Sequence, residues 1–331
     1  MRRTRAAINH KFQTQGGAYT DVADLIRFRH AAKEIDSVTI NKSSNPLSGL
    51  LTSNFKGRGI DFAEVRAYEP GDDVRTIDWR VTARTQVPHT KLFQEEKERP
   101  VLILADQSQS MFFGSRIAFK SVIAAQLAAL IAWISLDNGD RVGGIVFSES
   151  RHREVRPRRS KHAVLRLLHE INDFNHALSK EARSEDGNDE SQQALTSEYL
   201  SDALVNVRRV AKHGSTIFLI SDFQNLNVSA LLHFRQLSQH NDIIGIHISD
   251  PLEHDLPRPD LYTITNGQQR MQINTADARH RKEYQRDFYH NLENVKTEFN
   301  KLKSPLFELS TAREPVNTLA EAYNKFRMVN R

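Results

Sequence analysis

Apolar residues recur along this chain in two rhythms. Four short runs, Val101 to Ala105, Arg141 to Phe147, Ser215 to Ser221 and Ile243 to Ile248, are almost unbroken and stop at polar residues. Runs of this length, hydrophobic on both faces, predict strands of a parallel sheet. Between them the spacing changes to the helical period, predicting helices over Arg116 to Leu136, Lys161 to Phe174, Ser197 to Lys212 and Val228 to Gln239. Strands alternating with helices point to an α/β fold with a doubly wound, mostly parallel sheet.

The flanking regions read differently. Val22, Leu25, Ile26 and Phe28 give Asp21 to Ile35 a helical face, and Thr39 to Asn54 is a polar loop with Asn45-Pro46 and Gly49. Residues 59–99 predict short strands broken by the Glu69-Pro70-Gly71-Asp72 turn. Ser179 to Gln193 is acidic with almost no apolar residue, the composition of a mobile insertion. Leu261 to Thr265 and Arg270 to Ile273 predict a hairpin around Asn266-Gly267. A long polar helix over Ala276 to Leu302, a strand at Leu306 to Leu309 and a helix over Val316 to Arg327 complete the pattern.

Composition narrows the class. The chain has 331 residues, enough for a large core, and no cysteine, which removes disulfides and thiolate metal sites. The longest apolar stretch, Val122 to Leu136, is too short to span a bilayer and suits a helix buried against a sheet. No apolar segment follows the basic start Met1-Arg-Arg-Thr-Arg5, so the expectation is a cytoplasmic protein without a membrane span. The formal charge of +5 is modest, with a basic cluster at Arg151, Arg153, Arg156, Arg158, Arg159 and Lys161 that reads as a solvated face beside a loop. His162, His169 and His176 lie seven apart. That spacing separates neighbours by about 10.5 Å of helix rise, too far to share one ion.

The candidate chemistry lies where two strands end. Val101 to Ala105 runs into Asp106-Gln-Ser108-Gln-Ser110, and Ser215 to Ser221 runs into Asp222. In an open parallel sheet both ends lie on the carboxyl edge, where ligands bind. Asp106, Ser108, Ser110 and Asp222 are then four hard oxygen donors able to converge on one cation of the magnesium type. Helix capping is the competing use of these residues, with Asp222 placed ahead of the helix that begins near Val228. Phosphate-loop, dinucleotide-binding, serine-hydrolase and H-E-x-x-H signatures do not occur, and the chain is not expected to be an enzyme.

Residues 101–248 resemble a von Willebrand factor A domain, and D-x-S-x-S is the pattern of its metal-ion-dependent adhesion site. The wider chain resembles the bacterial domain of unknown function 58 family. That resemblance rests on Arg66-Ala-Tyr68-Glu-Pro-Gly71-Asp72-Asp-Val-Arg75-Thr-Ile-Asp78-Trp79 with Ala83-Arg84, then Glu95-Glu96, then Asp106-Gln-Ser108-Gln-Ser110-Met111. It covers the chain from about residue 55, and together with the periodicity the organisation expected is a helical N-terminal arm and linker over 1–54, a small β-rich element over 55–97, and an A-like domain over 98–331.

The resemblance also implies magnesium or another divalent cation on Asp106, Ser108, Ser110 and Asp222, with an open position for a partner's carboxylate. The fifth ligand of the pattern, a threonine, maps near Glu198, where no threonine is in register and Thr196, Ser197 and Ser201 are neighbours. The implied partners are a MoxR-type AAA+ ATPase and an unidentified client, in a chaperone-like assembly or maturation role. Two other functions remain open on the residues: a metal-dependent phosphoester hydrolase using Asp72, Asp78 or the Asp106 site, and a scaffold binding nucleic acid through 151–161.

Overall fold

A computed structural model describes residues 17–39, 61–69, 77–94, 100–181, 198–265, 270–319 and 321. The chain forms two compact units, residues 54–99 and the remainder.

The described chain opens with helix α1 (Val22–Thr39), which belongs to the larger unit. The smaller unit pairs β1 (Asp61–Ala67) antiparallel with β2 (His89–Gln94), with an irregularity between Phe62 and Glu64. Between the strands lies a short helix, α2 (Trp79–Thr85), where only strands were expected. Asp78 starts it by accepting the amides of Arg80 at 3.0 Å and Val81 at 3.2 Å. Gln86 closes it in the left-handed region at φ 56°.

The larger unit is built on a six-stranded sheet in the order β10-β7-β6-β3-β4-β5. Its strands are β3 (Pro100–Asp106), β4 (Arg141–Phe147), β5 (His152–Arg158), β6 (Thr216–Ser221), β7 (Asp242–Ser249) and β10 (Leu306–Ser310). All neighbours are parallel except β4 and β5. A separate hairpin, β8 (Leu261–Thr265) with β9 (Arg270–Asn274), follows β7.

Helices cover both faces. On one side Leu25 and Phe28 of α1, the helix α3 (Lys120–Asp137), and Leu167, Leu168 and Ile171 of α4 (Lys161–Glu181) share one core with the sheet. On the other, α5 (Tyr199–Val210), α6 (Val228–Ser238) and α8 (Ala278–Lys301) bury Leu204, Phe234, Val295 and Phe299. A short helix α7 (Pro251–His254) follows β7. The architecture is the doubly wound, mostly parallel α/β fold that the strand and helix rhythm predicts.

Among the described residues α3 is the one helix apolar and long enough to cross a bilayer, and 89% of it is buried within the protein. It is apolar all round because the sheet lies on one side and α1 and α4 on the other.

Three further expectations change. The N-terminal helix is not a separate arm: Leu25, Phe28, Ala31 and Ala32 are buried in the main core, and Trp133 Nε1 donates to the Leu25 carbonyl at 3.3 Å. Its apolar stripe was legible, but which surface it covers depends on α3. The basic cluster lies on an edge strand rather than beside a loop, since β5 carries exposed Arg153, Arg156 and Arg158 around a buried Val155. Charges and Pro157 blunt that edge against further pairing. Helix α4 runs past Phe174 to Glu181. The rest of the expected acidic insertion, from residue 182, and the chain from 322 lie outside the described residues.

Candidate functional site

The β3 and β6 strands are adjacent and parallel, with Ala105 paired to Ile220. The residues that follow, Asp106 on one strand and Ser221-Asp222 on the other, therefore leave the sheet side by side at its carboxyl edge. After Asp106 the chain turns sharply. Asp106 Oδ1 accepts the Ser108 amide at 2.9 Å, and a single 3₁₀ turn over Gln109–Met111 brings the hydroxyls of Ser108 and Ser110 to 3.1 Å. The Gln109 amide donates to Glu149 Oε1 at 2.7 Å, tying the loop to the end of β4. Gly114 is required further along: a Cβ there would lie 2.5 Å from the Ala118 carbonyl oxygen.

Asp222 is held differently. Lys120 Nζ donates to its Oδ2 at 2.8 Å and to Glu253 Oε1 at 2.6 Å, while the Gln224 amide donates to Oδ1 at 3.2 Å. The other Glu253 oxygen accepts the Asp250 amide at 2.7 Å, closing the capping box of α7. Asp250 in turn takes Ser115 Oγ at 2.6 Å and Thr311 Oγ1 at 2.5 Å. The site loop, the end of β7 and the turn after β10 are thereby tied together. Asn227, not Asp222, caps α6, accepting the Ala230 amide at 2.8 Å, so the capping use of Asp222 does not apply.

The two aspartates differ electrostatically. Asp106 is 1% exposed and accepts Ser221 Oγ at 2.5 Å. Burial, with Asp222 as the next cause, pushes its carboxyl up to about 7 against the smaller pull of Ser221 and Ser108. Burial acts on Asp222 in the same direction, but the Lys120 ammonium outweighs it and holds that carboxyl below the usual range. Burial would depress the Lys120 ammonium, yet Asp222 and Glu253 keep it above its ordinary value. Glu253 is raised, burial outweighing Lys120. Nearby His247 is pushed down to about 4, mainly by burial.

These charges test whether the donors fit a cation. Lys120 pairs with Asp222 and Glu253, whereas Asp106 is held by the Ser221 hydroxyl and the Ser108 amide, with no ammonium or guanidinium on it among the described residues. An uncompensated buried carboxylate beside a pair of facing hydroxyls suits a small hard divalent ion. Asp106, Ser108, Ser110 and Asp222 would hold it. Among the described residues no group of three or more His, Cys, Asp or Glu side chains is arranged to hold a metal, so such an ion would depend on the hydroxyls as well as the two aspartates.

The structure brings together all four residues singled out from the sequence, but not the expected neighbours of the fifth ligand. Glu198 is exposed and stands at the start of α5 without a side-chain cap bond, Ser201 is buried in the helix, and Thr196 and Ser197 lie outside the described residues. The residue that reaches the site is Tyr199, whose phenol oxygen accepts Asn225 Nδ2 at 2.5 Å. Lys120, Glu253, Tyr199 and Asn225 were all missed. Lys120 had a signal, the last charge before the long apolar run Val122 to Leu136, and Asp250-Pro-Leu-Glu253 reads as a capping box.

Of the alternative sites, Asp78 is occupied as the cap of α2, and Asp72 lies outside the described residues. His162 and His169 are exposed on α4, while His176 Nε2 bonds the Thr20 carbonyl at 2.8 Å.

A parallel sheet layered by helices, with a buried polar site where two adjacent strands end, defines a doubly wound α/β protein. The chain belongs to the family described as protein of unknown function DUF58, whose model matches residues 64–293. Uncharacterised proteins of Mycobacterium tuberculosis and Mycobacterium bovis are 26% identical over 230 residues, covering 69% of this chain and 67% of theirs. A crystal structure of the conserved hypothetical protein BatB from Bacteroides thetaiotaomicron is similar with 14% identity and a TM-score of 0.37, over 70% of this chain and 100% of that one.

Proposed function

We propose that this protein is a non-enzymatic adaptor of the von Willebrand factor A type, capturing a partner's carboxylate through a cation at the Asp106 site. The observation that carries the reading is the convergence of Asp106, Ser108, Ser110 and Asp222 at the ends of β3 and β6. A divalent cation bound there would supply an electrophile able to take an Asp or Glu carboxylate from outside. The chain's own residues do the rest. Ser108 and Ser110 offer neutral oxygens, which leave the cation's charge less quenched than carboxylates would. Lys120 neutralises part of Asp222, with the same consequence. The Asp250 network fixes the loop that carries Ser115 against β7 and β10. The partners proposed are a MoxR-type AAA+ ATPase and its client, in the cytoplasm.

Affinity capture from native cytoplasm tests this, comparing magnesium with chelator and the wild type with Asp106→Asn. Recovery of an AAA+ ATPase by the wild type in magnesium, lost with chelator or in Asp106→Asn, is the expected result. Equal recovery in all conditions would overturn the metal bridge.

A further inference from the structure

Resting on the cation reading above, we infer that the phenol oxygen of Tyr199 takes the place of the missing threonine as the fifth oxygen donor of the site. Tyr199 is the first residue of α5, and its ring is buried against Phe147 with centroids 6.1 Å apart. Phe147 is itself the last residue of β4, next to β3, so the ring stands at the carboxyl edge of the sheet. Its oxygen lies beside Ser108 and accepts from Asn225 at 2.5 Å. Asn225 sits three residues after Asp222, on the loop leaving β6, so the phenol is bracketed by both loops that carry the other donors.

Geometry explains how a tyrosine serves where a threonine is expected. A threonine has a short side chain, so a loop must bring its backbone to the cation. Tyrosine carries its oxygen at the far end of a rigid ring, so a residue at a helix start reaches the same point while the ring stays in the core. Two rotatable bonds and packing on Phe147 hold the oxygen, and the Asn225 bond fixes it. As a protonated phenol Tyr199 would be a neutral donor of the same kind as the Ser108 and Ser110 hydroxyls. Asp106 and Asp222 would supply carboxylate oxygens to the cation, and Ser108, Ser110 and Tyr199 hydroxyl oxygens.

The test uses the full chain and manganese as probe, with free ion read by electron paramagnetic resonance. Tyr199→Phe keeps the ring and removes the oxygen. It should weaken manganese affinity about tenfold or more, while the metal-free protein stays folded and loses only the bond from Asn225. Asn225→Ala, which releases the phenol, should weaken affinity less. Tyrosine-excited terbium luminescence gives an independent readout and should fall sharply in Tyr199→Phe. A Tyr199→Phe variant that binds manganese as tightly as the wild type overturns this inference and leaves the cation site standing. A wild type that binds no manganese overturns both.

Discussion

The Lys120 ammonium bridges Asp222 and Glu253 at 2.8 and 2.6 Å, fully buried at the head of an otherwise apolar helix. One internal cation thus serves the carboxylate that follows β6 and one on α7, the helix after β7, and leaves Asp106 to others.

Replacing that cation should cost far more than a surface charge. Lys120→Met leaves Asp222 and Glu253 buried without their counter-ion, with the backbone amides of Gln224 and Asp250 still donating to them, and a broken buried pair destabilises by about 3–5 kcal/mol. Urea denaturation measures it. A loss under 1 kcal/mol would mean that water already compensates these carboxylates.

Asp106 should behave in the opposite sense. In chelator at pH 8, Asp106→Asn removes an uncompensated buried charge and should be at least as stable as the wild type. With excess magnesium the wild type alone should gain melting temperature, because only it binds the ion in the folded state. A matching gain in Asp106→Asn would place the ion elsewhere.

His247 makes stability depend on acid. Its folded value of about 4 lies below the ordinary 6.5, with Asp222 opposing the shift and Lys120, His254 and Lys296 adding to it. The unfolded chain therefore binds the extra proton first. The neutral ring's contribution is fully present above pH 6.5 and is lost as pH falls through 4, about 3 kcal/mol at the limit. His247→Leu should flatten the pH dependence of unfolding across that window. Identical slopes in both proteins would refute the assignment.

Helix α1 should be integral to folding. Leu25 is 1% exposed within the main core, so Leu25→Ala should cost about 2–5 kcal/mol in a single unfolding transition. A loss confined to a separate early transition would return the helix to the role of an arm.

Much of this molecule was readable before folding. Val101 to Ala105 and Ser215 to Ser221 are strands in any context that buries both faces, and parallel pairing then obliges Asp106 and Asp222 to share an edge. Those inferences rest on period and on a symmetry of the sheet, both local properties. The edge strand β5 was missed because arginines and a proline carry no apolar alternation, and only its pairing with β4 makes it a strand.

The partners of the site were a different matter. Lys120 is 102 residues from Asp222 and 133 from Glu253, and Asn225 is 26 from Tyr199. No spacing rule links residues so far apart; their meeting depends on which helix packs on which strand and how far each side chain reaches. The chain's own pattern therefore decides the sheet, its carboxyl edge and the two aspartates on it. Tertiary packing alone decides which aspartate receives the buried lysine, and that a tyrosine rather than a threonine stands beside Ser108.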